Sequence, residues 1–127
     1  MKISASGEYA IQIMADLAGY DDFVSLKDVA ERQEISLKYA EKIVSKLLKA
    51  GFLLSERGKF GGYKLAKKPE ECSVKDILIL TGDITPIVSC LEMNCPKKET
   101  CKSITIWQKL DGLINQFLDK ITISDII

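Results

Sequence analysis

Residues 25–67, SLKDVAERQEISLKYAEKIVSKLLKAGFLLSERGKFGGYKLAK, decide the fold. Ser25 opens a helix. Ser25 and Asp28 have the spacing of a capping box, and Asp28 lies near the positive helix end. Leu26, Val29 and Ala30 supply its inward face. Residues 33–36 are polar apart from Ile35 and read as a turn. Ser36 then caps a helix that runs to about Ala50. Tyr39 and Ala40, Ile43 and Val44, then Leu47 and Leu48 recur at helical spacing. Lys38, Glu41, Lys42, Ser45, Lys46 and Lys49 fall mostly on the other side. Gly51 suits the left-handed position just past a helix end. Two short helices joined by a tight turn, the second basic on its outer face, form the helix-turn-helix pattern.

Next, Phe52–Ser55 and Gly62–Ala66 can pair as a hairpin around the connection from Glu56 to Gly61. Gly58, Gly61 and Gly62 permit positive φ and close backbone approach. Arg57 and Lys59 at the tip can reach phosphates or the minor groove. Taken alone this is an ordinary surface hairpin. Directly after a helix-turn-helix it reads as a wing. The candidate DNA contacts are Ser36, Lys38, Tyr39, Glu41, Lys42, Ser45 and Lys46 on the helix. On the wing they are Arg57, Lys59, Gly61, Gly62 and Tyr63. Lysines on phosphate bring salt dependence, and Glu41 can accept from a cytosine amino group.

Working outward, Tyr9, Ala10, Ile13, Met14 and Leu17 predict a first helix over residues 5–19. Ser73 and Asp76 predict another over 73–81, ended by Gly82. Residues 83–102 read as a loop. The last helix starts near Ser103. Trp107, Leu110, Ile114, Phe117 and Ile121 recur at spacings of three and four, a coiled-coil-like seam for a second copy of the chain. Leu113 and Leu118 widen it for packing on the chain's own body. The expected organisation is a DNA-binding unit over 1–82, a cysteine-bearing loop over 83–102 and a dimerisation helix and tail over 103–127. The fold class is mainly α with a small β-hairpin wing.

The chain has 127 residues, 46% of them hydrophobic, and no net charge. The charge is unevenly spread. Residues 1–68 carry +3, residues 69–127 carry −3, and residues 33–68 alone carry +6. A basic stripe on a neutral chain fits local contact with nucleic acid, although lysines also solubilise helix faces. There is no apolar run long enough for a membrane span and no apolar signal core after Met1, so a cytoplasmic protein is expected. With no histidine, no nucleophile–base signature and no phosphate loop, an enzyme is not expected.

Three cysteines, Cys90, Cys95 and Cys101, crowd the loop in CLEMNCPKKETC. Thiolates suit iron–sulfur clusters, zinc and Cu(I). A thiol–disulfide switch is the other chemical reading, since Lys97, Lys98 and Lys102 favour thiolate. An inert remnant is the bland one. Cys72, at a helix start, reads as a buried neutral cysteine.

The run from Ser25 to Lys67, with Ile35–Ser36, Tyr39–Glu41 and the wing RGKFGGY, resembles the winged-helix family of bacterial repressors typified by IscR, NsrR and CymR. The cysteine loop and last helix extend the resemblance over essentially the whole chain. It implies a homodimeric regulator of double-stranded operator DNA, with a two-iron two-sulfur cluster on Cys90, Cys95 and Cys101. A fourth ligand varies in the family. In the cluster-assembly type it is a histidine three residues after the last cysteine. Here Ile104 stands there, and the first cysteine gap is one residue shorter. In another type a carboxylate of the other subunit serves, and the matching position is Glu8, which also suits an ordinary helix-start acid. A glutamate matching Glu41 helps one member discriminate between operator classes. Members without a cluster sense metabolite status through a partner enzyme, which leaves a cysteine- or thiol-responsive regulator as the alternative.

Overall fold

The computed structural model describes residues 2–88, 91 and 99–127. Among these are five α-helices and one antiparallel hairpin: α1 (Ala5–Ala18), α2 (Leu26–Gln33), α3 (Leu37–Lys49), β1 (Leu53–Glu56), β2 (Gly62–Leu65), α4 (Val74–Leu80) and α5 (Ile104–Lys120). Serine hydroxyls cap four of the helices. The hydroxyl of Ser4 accepts from Gly7 N–H, Ser25 from Asp28, Ser36 from Tyr39 and Ser73 from Asp76. The capping boxes read at Ser25 and Ser73 form in this one direction only. Asp28 and Asp76 remain as first-turn acids that favour the helix dipole. A reciprocal box forms instead at Thr122 and Asp125, in the short 3₁₀ turn Ile123–Asp125.

The turn between α2 and α3 passes through Glu34 in the left-handed region, at φ 56°. Its N–H still reaches the carbonyls of Ala30 and Glu31, which closes α2 within one residue. Asp16 of α1 then fixes the pair. It accepts from Arg32 Nη2 at 2.7 Å and Nε at 3.0 Å, and from Gln33 Nε2 at 3.1 Å. Burial pushes the Asp16 carboxyl up, but the bonds from Arg32 and Gln33 outweigh it and leave the group below its ordinary value.

The hairpin pairs Leu53 with Leu65 and Glu56 with Gly62. The sequence placed the first strand one residue earlier, but Phe52 closes the end of α3 by donating to Leu47. Tyr63 is also bridged to Val24, with N–H···O distances of 2.9 and 2.8 Å. This docks the wing on the segment before α2. Gly62 has φ +154°, and a Cβ there would run into the Val24 carbonyl. Gly62→Ala is therefore expected to destabilise the fold by more than about 1 kcal/mol, read by denaturant unfolding. Wild-type stability would show that this approach is not constrained.

The core joins Ala10, Ile13, Met14 and Leu17 of α1 to Val29, to Ile43, Val44 and Leu47 of α3, to Leu53, and to Val74, Ile77 and Leu78 of α4. Cys72 and Ile123 complete it. Ile123 is fully buried, its N–H donating to Cys72 O, while Val74 N–H donates to Ile121 O. The C-terminal tail thus returns into the body that carries α2 and α3.

No residue of α5 is fully buried. Leu118 packs against the core, and Asp119 meets Lys75 Nζ at 2.9 Å. Ile121 lies beyond the end of the helix, in extended backbone and packed on the chain's own core, so it does not continue the helical seam as expected. Leu113 also departs from expectation. It faces solvent instead of the body, because the inward stripe is centred on Leu118. The free stripe is Ile106, Leu110, Leu113 and Phe117, exposed by 60, 42, 63 and 63%. Trp107 and Ile114, half-buried, lie at its edge.

Candidate nucleic-acid interface and cysteine loop

α3 is amphipathic because its apolar residues repeat at three and four. Ala40, Ile43, Val44 and Leu47 are buried, which turns Lys38, Glu41, Lys42 and Lys46 to solvent, with Ser45 partly exposed. The Ser36 hydroxyl is committed as acceptor to Tyr39 N–H, yet its own hydrogen remains available to donate. Tyr39 is half-buried. Its ring meets Tyr9 edge to face, 5.8 Å between centroids at 84°, so α1 sets the ring's position.

Two further residues join this face. Ser6 of α1 lines a groove of about 440 Å³ with Tyr39, Lys42, Ile43, Ser45, Lys46 and Lys49. Leu37, in the first turn of α3, is exposed by 45%. An apolar residue at the leading end of such a helix suits a thymine methyl. Nothing in the sequence pointed to Ser6, and Leu37, three residues before Ala40 and seven before Val44, shares the spacing of the buried stripe, so periodicity did not mark it as exposed.

On the wing, Arg57 and Lys59 are exposed. Gly61 and Gly62 act through shape, since a Cβ at Gly61 would meet the Glu56 carbonyl and one at Gly62 the Val24 carbonyl. Tyr63 is half-buried and packs on the core, its backbone engaged with Val24. Lys64 Nζ stands 4.7 Å from the Phe23 ring.

Of the cysteines expected in the loop, Cys90 and Cys95 lie outside the described residues. Cys101 is half-buried, with Sγ 3.3 Å from Ser103 Oγ. Ser103 precedes α5 and accepts from Trp107 Nε1 at 3.2 Å. Glu8 is exposed in the first turn of α1. Among the described residues no cluster of three His, Cys, Asp or Glu side chains could hold a metal ion. Cys72 is fully buried and donates to Lys68 O at 3.5 Å. Burial pushes its thiol pKa up, so it behaves as the neutral core cysteine expected.

The family model described as "Rrf2: Iron-dependent Transcriptional regulator" matches residues 3–127. The chain belongs to the Rrf2 family. It is 36% identical over 131 residues to Protein rrf2 of Nitratidesulfovibrio vulgaris, covering all of this chain and 87% of that protein. It is 36% identical over 130 residues to the HTH-type transcriptional regulator IscR of Aliivibrio salmonicida, covering 77% of the latter. Among solved structures, CymR, described as the global cysteine regulator of B. subtilis, superposes with a TM-score of 0.84 at 32% identity. That match covers 99% of this chain and 95% of CymR. As an Rrf2 protein the chain is a DNA-binding transcriptional regulator and not an enzyme, with the winged-helix fold. No described helix is long and apolar enough to cross a membrane.

Proposed function

We propose that this Rrf2 protein is a cytoplasmic homodimer that reads double-stranded operator DNA with α3 and the wing. Operator affinity is set at Cys90, Cys95 and Cys101 by a two-iron two-sulfur cluster, and repression is the expected mode. The reading organises the chain as a DNA-binding unit over 1–82, a sensor loop over 83–102 and a dimerisation segment over 103–127. Three soft thiolates within twelve residues fit such a group, and the family's description as iron-dependent agrees. They leave one coordination position, for which Glu8 of the partner subunit is the candidate. A bound cluster supplies redox chemistry and a site that oxidants can dismantle.

The observation that carries this reading is the Cys101–Ser103–Trp107 chain. Cys101 sits at the root of the helix that offers an apolar stripe to a second copy. Holding Cys101 in a ligand set holds Ser103, and Ser103 holds the Trp107 indole in the first turn of α5. The two recognition helices are spaced by the paired α5 helices, so a change at Cys101 alters how both meet the operator. This is a two-state element biased at one end. Ser36, Lys38, Lys42 and Lys46 meet the DNA from α3, and Arg57 and Lys59 meet it from the wing.

Anaerobic purification tests this reading. Visible absorption with matched iron and sulfide, and operator affinity that changes when the chromophore is lost, are expected. A colourless protein after anaerobic reconstitution would sink the cluster. The backbone match to CymR favours the second reading in that event: a cluster-free regulator responding to thiol state or cysteine supply through a partner enzyme.

A further inference from the structure

We propose that Phe60 is an apolar wedge that the wing drives into the minor groove against a base step, so that the protein bends its operator. The inference rests on the DNA-binding reading and adds a residue and a mode of recognition to it.

Phe60 is exposed by 87%, more than any other large hydrophobic among the described residues. Scattered exposed apolar residues are common and need no explanation. This one is unusual in where it stands. Gly61 N–H donates to Gly58 O at 3.1 Å, closing a turn with Lys59 and Phe60 at its two central positions. Those positions form the outermost point of the hairpin, and turns normally place polar residues or glycine there. The hairpin beneath is anchored by its own pairing and by the Val24–Tyr63 bridge. The ring is therefore presented on a braced support.

Charge selects the occupant. Lys59 Nζ lies 5.7 Å from the Phe60 ring centroid, and Arg57 is two residues before Lys59. An apolar protein pocket that took the ring would also have to desolvate the ammonium beside it, at a cost. A DNA minor groove accepts both. Phosphates lie along its rim for Lys59 and Arg57, and the edge of a base step lies on its floor for the ring. Phenylalanine and leucine are among the side chains that wedge between base steps in this way. Unstacking is cheapest at flexible pyrimidine–purine steps, so the wedge also confers a sequence preference where no base edge is read.

The test begins with selection of operators from randomised duplex DNA by the full-length protein, handled anaerobically. Affinity, salt dependence and end-to-end fluorescence transfer are then compared for wild type, Phe60→Ala, Phe60→Leu and Lys59→Ala. Wild type is expected to bend its operator by about 20° or more, with a TA or CA/TG step enriched at a fixed distance from each half-site. Phe60→Ala should lose the bend, that enrichment and roughly tenfold in affinity, with an unchanged salt slope. Phe60→Leu should keep most of the bend. Lys59→Ala should lower the salt slope by about 1 and leave the bend in place. Because Phe60 touches no core residue, its variants should unfold like wild type. A Phe60→Ala protein that binds and bends as wild type does, or a wild type that leaves its operator straight, overturns the wedge while DNA binding stands. Failure of wild type to enrich any sequence overturns both.

Discussion

Replacing Leu113 and Phe117 with glutamate should convert the protein to a monomer and lower operator affinity by about a hundredfold or more. α5 has seventeen residues and buries none of them fully in its own chain, although Ile106, Leu110, Leu113 and Phe117 repeat at spacings of four, three and four. Fully covering a leucine or phenylalanine is worth about 1.5–3 kcal/mol. Four such residues per subunit, doubled by two-fold symmetry, supply an association free energy large enough to hold a dimer even after its entropic cost. Two glutamates in the stripe would bring four carboxylates into that interface without partners. Loss of the dimer removes the second half-site contact, and with it the gain from tethering. The fold of each subunit should survive, because the residues holding α5 to the body are Leu118 and the Lys75–Asp119 pair, which stay in place. Sedimentation equilibrium and operator titration read the two effects. A double variant that stays dimeric would remove α5 from the interface.

The position of that stripe was only partly legible. Trp107, Leu110, Ile114 and Phe117 also satisfy the three-four spacing, and α5 has apolar residues on both phases. Periodicity alone cannot choose between them. The choice is made by which side chains the core engages: Leu118 packs inward, which leaves Trp107 and Ile114 half-buried and exposes Ile106 and Leu113 beside Leu110 and Phe117. By contrast, the helix-turn-helix and wing could be read residue by residue because their signals are local. A serine cap, a stripe at three and four, and a glycine at a forced φ need only their neighbours. What escaped was nonlocal. ITISDII carries no periodicity, so nothing marked Ile123 as the plug beside Cys72, fifty-one positions earlier in the chain. Gly62 read as a turn residue, but its constraint comes from Val24, on a segment that looks like a plain connection. In the cysteine loop, donor chemistry could be read from Cys90, Cys95 and Cys101. The Ser103 link from Cys101 to Trp107 needed coordinates, because sequence shows which groups are close along the chain and not which way they face.

Asp83 is a buried residue that no local pattern marked, and its removal should cost about 3 kcal/mol at neutral pH. It follows Gly82 and looks like a turn acid. It is 7% exposed. Oδ1 accepts from Ser4 N–H at 2.8 Å, and Oδ2 accepts from Ser4 Oγ at 2.9 Å and from Thr81 Oγ1 at 2.5 Å. Ser4 in turn caps α1 by accepting from Gly7 N–H at 3.0 Å. One carboxylate therefore fixes the start of α1, one turn before Glu8, to the root of the cysteine loop. Gly7 is the matching concession, since a Cβ there would run into the Asp83 carboxylate. Burial pushes the Asp83 carboxyl up, but the bonds from Thr81 and Ser4 outweigh it and hold the group below the ordinary 3.8. A carboxyl lowered on folding stabilises the native state fully above its unfolded value, and that stabilisation is lost as pH falls through the folded one. Asp83→Asn should therefore cost most at neutral pH, where it removes the charge and sets an amide N–H₂ or a weaker acceptor against two hydroxyls. Its deficit relative to wild type should shrink steadily below about pH 4, as wild type protonates. Urea unfolding of both proteins from pH 7 to pH 2 measures this directly, and hydrogen exchange at Gly7 and Glu8 should accelerate in the variant. A deficit that stays constant across that range would mean that Asp83 contributes shape alone. In that case the link between the start of α1 and the cysteine loop would rest on packing instead of charge.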